Sequence, residues 1–378
     1  MNNREYKHDS VRRLTMKSRS SMRTVVSIVL ALALPIISAT TTQAVDVVTD
    51  PVGFIKLEAV GTNGLATTTA LSFWGLGLTQ VVTNQGIITS VAGTKLTVNN
   101  PLSPAAFNRN ITSIYTNPTA FIEITSGDYA GLLDDIVSND TSAVYTDNDL
   151  SSLLSGGETY KIRPHWTLAS VFGPNNEAGL KPGTGAGNAD NVNVWNPLTQ
   201  GYTTYYYKTN TGGGGVGWRS GTSASANAAY TALYIDQGIV IRRRMGTATN
   251  VTLVGQVKLG PTITPIVQSG VTFAANMYAA PFTLGNSGLY TTNSNTGIKP
   301  GTSAGNADNV NIWNPLTQGY ATYYYKTNTG GGGVGWRSGT SASIDASTNQ
   351  IPLGATIVIR RRLDTPFNWY IPPAYTNQ

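Results

Sequence analysis

Residues Leu180 to Ser225 read LKPGTGAGNADNVNVWNPLTQGYTTYYYKTNTGGGGVGWRSGTSAS, and Ile298 to Ser343 read IKPGTSAGNADNVNIWNPLTQGYATYYYKTNTGGGGVGWRSGTSAS. Only the pairs Leu180/Ile298, Gly185/Ser303, Val194/Ile312 and Thr203/Ala321 differ, and three of them stay apolar or small. Stretches this alike build the same structural part, and repetition at a fixed period reports architecture first. The register of 118 residues continues without a gap to Gly238-Ile-Val-Ile-Arg242-Arg243-Arg244 and Thr356-Ile-Val-Ile-Arg360-Arg361-Arg362, so 180–244 recurs as 298–362.

Inside the repeat, Val192 to Trp195 and Tyr202 to Tyr207 flank Asn196-Pro-Leu-Thr-Gln-Gly201. This predicts a hairpin in which Pro197 presets φ and Gly201 provides a left-handed exit. Short Val/Ile/Thr/Tyr runs bounded by Gly, Pro and Asn recur throughout, and only Leu150 to Leu154 suggests a helical turn. The expected fold is all-β, with two tandem β-sandwich or open-barrel units. Val52 to Leu57 reads as the opening strand of the first and Val254 to Leu259 as its counterpart, which sets the units at 45–253 and 254–378. On that alignment the first unit carries roughly 86 extra residues, an inserted β subdomain at about 80–163. The insert should hold a hairpin around Gly93 and a second pair from Ala120–Ile124 to Ser142–Tyr145.

The first 44 residues set location and correct the charge. Arg12, Arg13, Lys17, Arg19 and Arg23 precede the apolar run Val25 to Ser38, and Thr42-Gln43-Ala44 offers small residues for cleavage. Residues 1–44 therefore read as a signal peptide, and the expected destination is the cell surface, the extracellular space or the periplasm. The run is too short for a membrane span, and none is expected in the mature chain. Removing seven of the 25 basic and two of the 19 acidic residues leaves 18 and 17, a net of +1. Nucleic acid, which needs basic surface to displace counterions, loses its support. Absent cysteine excludes disulfides and thiolate chemistry.

The exported N-terminus, Asp50-Pro-Val-Gly-Phe-Ile-Lys-Leu57, Ser126-Gly-Asp-Tyr-Ala-Gly131, Ser138-Asn-Asp140, Gly157-Glu-Thr-Tyr-Lys-Ile-Arg-Pro-His-Trp-Thr-Leu168 and the DNVNVWNP, TYYYK, GWR and IVIRRR series belong together. Across nearly all of the mature chain they resemble an uncharacterised family of exported bacterial β-rich proteins. That resemblance implies export and β architecture and transfers no catalytic residue, because the family has no established activity.

Candidate sites come from the repeat and from acidic clusters. The run Thr211 to Gly217 ends in Trp218 where a phosphate loop needs Lys and a helix, so it reads as a loop between strands. Asp147, Asp149 and Glu158 occupy positions one, three and twelve of a calcium hand, but Ser152 replaces the turn glycine and Arg163-Pro164 opposes a following helix. Asn188/Asp190/Asn191 and their copies read as Asx turns. His165, the one mature histidine, has no nucleophile motif beside it. The most suggestive set is Trp195, Tyr205, Tyr206, Trp218 and Arg219, repeated as Trp313, Tyr323, Tyr324, Trp336 and Arg337, because Trp, Tyr and Arg dominate binding surfaces. Tyr202 and Tyr320 belong with them. The competing use is core filling.

The expected function is an exported structural or adhesive protein working through protein contacts, with itself or other cell-surface proteins as partners and self-assembly as one mode. No cofactor and no enzymatic activity are expected. A carbohydrate-binding module is the alternative, and a polysaccharide-active enzyme a distant third. Eight acids and no Lys or Arg between Asn110 and Tyr160, set against two Arg triplets, suggest head-to-tail charge pairing.

Overall fold

A computed structural model describes residues 50–111 and 116–375, and the signal peptide expected at 1–44 lies outside them. The described chain is all-β, and the repeat builds the same antiparallel sheet twice. In the first unit the strand order is Gly217–Ser220, Gly201–Lys208, Asn191–Asn196, Ile239–Arg243 and Ala70–Trp74. In the second it is Gly335–Ser338, Gly319–Lys326, Asn309–Asn314, Thr356–Arg360 and Val271–Ala275, with Ser341–Asp345 added outside the first of these. The hairpin register is the same, Val192 opposite Tyr205 and Val310 opposite Tyr323. Its turn differs in one detail from the sequence reading. Asn196 Oδ1 accepts the amides of Leu198 and Thr199, and the left-handed residue is Gln200 (φ 52°), matched by Gln318 (φ 50°), rather than the glycine that follows. The cost of that conformation is offset by Gln200's side-chain amide, which is anchored to Pro197 and Val271.

A two-stranded ribbon packs with each sheet. Val52–Ala59 pairs with Thr249–Gln256, and Thr262–Ile266 pairs with Phe367–Ile371. Along Val52–Ala59 the alternation sends Ile55, Leu57 and Ala59 inward, where they share a core with Val192, Tyr205, Trp218 and Ile241. This corrects the expected boundary. Val254 lies opposite Phe54 in the first ribbon, so Val254 to Leu259 is no second copy of the opening strand; Val254 to Gln256 belong to the strand that closes the first unit. The true counterpart is Thr262–Ile266, and a division at 253/254 would cut a strand.

The insert closes on itself. Strands Thr159–Pro164, Asn84–Ala92, Lys95–Val98, Ala143–Thr146, Leu133–Asn139 and Ala120–Ile124 form a closed barrel in that order around Ile88, Leu96, Ile122, Ile136, Val144 and Ile162. Gly93 turns its first hairpin with φ +62°, a region where a Cβ would be strained. Ala120–Ile124 does not pair with Ala143–Thr146 as the sequence suggests, because Leu133–Asn139 lies between them. Leu71 and Val271 hold equivalent places 200 residues apart, whereas Asn191 and Asn309 are 118 apart, so the first unit carries 82 extra residues. Among the described residues the one helix is Leu168–Phe172, capped reciprocally by Thr167 and Ser170, while Leu150 to Leu154 makes only a hydrogen-bonded turn. No described helix is long and apolar enough to cross a membrane.

Candidate functional site

The two sheets meet through a reciprocal seam. Trp195 Nε1 donates to the Val271 carbonyl at 2.8 Å, and Trp313 Nε1 donates to the Leu71 carbonyl at 2.9 Å. Gln200 Oε1 accepts from Val271 N at 2.8 Å, and Gln318 Oε1 accepts from Leu71 N at 2.7 Å. The bridge between Trp74 and Ala355 is mirrored by one between Gln237 and Ala274. Each unit thus gives the other what it receives, as in a twofold dimer. Along the seam run six rings: Tyr202, Trp195, Phe273, Phe73, Trp313 and Tyr320. Trp195 and Phe273 are 4.9 Å apart, Phe273 and Phe73 5.8 Å, and Phe73 and Trp313 4.8 Å, with Tyr202 and Tyr320 edge-on at the ends. Both end rings are about half exposed, Tyr202 at 47% and Tyr320 at 45%.

Desolvation by its neighbours pushes the Tyr202 phenol up to about 12. Its ordinary value is about 10, so the neutral form is favoured in the folded state and this contribution to stability is lost as pH rises from about 10 through 12. We expect a spectrophotometric titration of wild type minus Tyr202→Phe to show one phenol ionising near 12. A difference curve centred at the ordinary value would contradict the packing around this ring.

Of the expected aromatic residues, Trp195, Tyr202, Trp313 and Tyr320 join this row. Tyr205, Tyr206, Trp218 and Arg219 are buried, as are Tyr324, Trp336 and Arg337, and Tyr323 is half-buried, so they are not surface platforms. Trp218 and Tyr205 lie in the main core. Tyr206 pairs with Arg219 on the opposite face of the strands, where the glycine loop folds over them. Arg219 donates to the carbonyls of Gly214, Gly215 and Val216, and Lys208 to those of Gly212 and Gly213; Arg337 and Lys326 repeat the pattern. A loop whose carbonyls surround two buried cations is a rigid cover for a sheet, not a phosphate cradle. Phe73 and Phe273 were missed, although the alternations Leu71-Ser-Phe73 and Val271-Thr-Phe273 carry them.

The charges also change meaning in space. Asp147 pairs with Arg109 at 2.8 Å, Asp149 accepts from Ser151, and Glu158 accepts the amides of Ser155 and Gly156, so the calcium candidates do not converge. Among the described residues no three acidic or histidine side chains are grouped to hold a metal. Asp190 and Asp308 are buried on Arg243 and Arg361. Arg243 ends an interior strand and Arg361 follows one, and of the acidic run Glu123, Asp134 and Asp135 are buried while Asp128 and Asp149 are exposed. His165 is buried with Nε2 3.0 Å from Asp135, whose other oxygen accepts from Tyr234. That arrangement orients a core imidazole. Neither a family model, a curated protein nor a solved structure matches the chain.

Proposed function

We propose that the chain is an exported structural or adhesive protein of the cell surface or extracellular space that acts through repeated protein contacts. The observation that carries this reading is what the two copies leave outside. Leu198 and Leu316 at the hairpin tips, Val216 and Val334 on the glycine loops, and Tyr202 and Tyr320 at the seam are exposed in both units at equivalent places. A rigid twofold scaffold that shows the same apolar side chains twice is bivalent, and bivalent display multiplies weak contacts without any new contact chemistry. The buried Arg, Lys and Trp groups serve this by stiffening the loops and hairpins that carry the exposed positions. Charge pairing from head to tail draws on fewer groups than the sequence offers, because Glu123, Asp134, Asp135, Arg243 and Arg361 are buried.

The test is sedimentation velocity with electron microscopy on the chain from Val45. We expect association that grows with concentration and weakens about tenfold when Leu198, Leu316, Val216 and Val334 are all replaced by Ser. A chain that stays monomeric throughout, or that assembles as well after the substitutions, refutes the reading.

A further inference from the structure

The arginine triplets divide into residues the fold uses and residues it leaves over. The middle member of each turns inward, Arg243 at 2.9 Å from Asp190 and Arg361 at 3.0 Å from Asp308. The outer members lack this. Arg242 and Arg360 are exposed, Arg244 and Arg362 half-buried, and among the described residues none of the four has a carboxylate within ion-pair distance. The guanidinium of Arg244 bonds the Ala189 carbonyl and the Asn191 amide oxygen, and that of Arg362 bonds the Ala307 carbonyl. These contacts hold the cations in place without neutralising them. Arg244 is held below its ordinary value, first by partial burial and then by repulsion from Arg242, with attraction from Asp190 opposing both. In the second unit Arg360 and Arg362 line one open cleft of about 450 Å³ with Gln200, Ser269 and Val271. Asp364 accepts from the hydroxyl of Ser269, which lines the cleft, and so stands as an acid beside it.

Asp190 is shared with Arg243 and Asp308 with Arg361, so each triplet keeps an excess of positive charge that an oxyanion would balance, because the arginine fork matches carboxylate and sulfate geometry. The outer arginines recur at equivalent positions of the two units, Arg242 opposite Leu71 and Arg360 opposite Val271. Each copy lies beside a half-exposed Trp–Tyr pair: Gln200 and Trp195 both bind Val271, across from Arg360, and Gln318 and Trp313 both bind Leu71, across from Arg242. We propose that the outer arginines of the two triplets are twin clamps for the carboxylate or sulfate groups of an acidic polysaccharide, with the neighbouring aromatic rings against its sugar faces. An open cleft holds a single small anion weakly, whereas a polymer with repeated charges engages both clamps at once and gains avidity. The aromatic neighbours favour a sugar polymer over an acidic polypeptide, since flat apolar ring faces add contact area to the C–H faces of a pyranose. The proposal rests on the surface reading above only in placing the chain where such polymers occur.

Calorimetric titration of the chain from Val45 tests it, with polygalacturonate, dextran sulfate, neutral dextran and polyglutamate as probes at low and high salt. The two acidic polysaccharides should bind and weaken steeply with salt, and neutral dextran should not bind. Arg242→Gln combined with Arg360→Gln should lower their affinity by more than about tenfold while each single change costs less, as expected of two linked sites. Both side chains are exposed, so the thermal midpoint should not move, and an unchanged midpoint separates lost binding from lost folding. Undiminished binding by the double variant, equal binding of neutral dextran, binding of polyglutamate as tight as that of the polysaccharides, or no binding at all would each overturn the proposal. Sedimentation without polymer reports on assembly separately, so the two readings fail independently.

Discussion

Gly238→Ala should destabilise the fold by about 3 kcal/mol, near the upper end for an overpacked core. Gly238 and Thr356 are the same position in the two copies, 118 residues apart, and they meet each other across the seam. A Cβ on Gly238 would stand 2.0 Å from Thr356 Cγ2 and 2.2 Å from its Oγ1. Thr356 is buried and β-branched, with little rotamer freedom to swing away. Gly238 N is tied to the Phe273 carbonyl at 2.9 Å, which resists backbone retreat. The cause is symmetry. Near a twofold axis each position faces its own copy, so two side chains compete for room that holds one. The pair Gly75 and Ala275 shows the same solution, because a Cβ on Gly75 would lie 3.0 Å from the Ala275 Cβ. In both pairs the glycine is in the first unit. Urea unfolding of Gly238→Ala, Thr356→Gly and the double variant closes a cycle, and the double variant should recover most of the loss. A neutral single substitution, or no recovery in the double, would show that these positions do not share an axis.

The offset that exposes this pair is legible in the sequence, but its meaning is not. Identity between copies fixes the hairpin and its register, because both depend on neighbours within a few residues. The seam joins Trp313 to Leu71 and Trp195 to Val271, and no local pattern reports contacts over such separations. The ribbon misled for a physical reason: Val52–Ala59 and Thr249–Gln256 are partners with one buried and one exposed face each, so they carry similar alternation and look like copies. The aromatic strands raised a related problem. Period two assigns Tyr205 and Tyr206 to opposite faces, yet both are buried, since the glycine loop covers the second face. Among the acids between Asn110 and Tyr160, Asp147 and Glu123 take their cations, Arg109, Arg163 and Lys258, from outside that window.

Glu123→Gln should destabilise the chain by about 3–5 kcal/mol, because it breaks a buried ion pair by removing one partner. Glu123 stands on the barrel strand Ala120–Ile124, buried between Arg163 at 3.2 Å and the ammonium of Lys258, which reaches in from beyond the end of the first ribbon. Arg163 also meets Asp50 and the Gln80 carbonyl, so the cluster fastens the barrel to the start of the first ribbon. With Gln at 123, Lys258 loses its carboxylate partner in a site with about 2% exposure. Lys258→Met should cost less, since Glu123 would retain Arg163, and Glu123→Leu with Lys258→Met should recover part of the loss. The carboxyl titration gives a second readout. Burial alone would raise the Glu123 pKa, but attraction to Lys258 and then Arg163 outweighs it and holds the group below its ordinary value. Asp50 is likewise depressed, its desolvation outweighed by Lys161 and Arg163. A depressed carboxylate adds stability that is complete above its unfolded pKa of about 4 and is lost as pH falls through the folded value. Unfolding free energy measured in urea should therefore fall with acidification below about pH 4, and Glu123→Gln should flatten that slope by removing one linked proton. A variant that unfolds with wild-type stability at neutral pH and an unchanged acid slope would mean that Glu123 does not fasten the barrel.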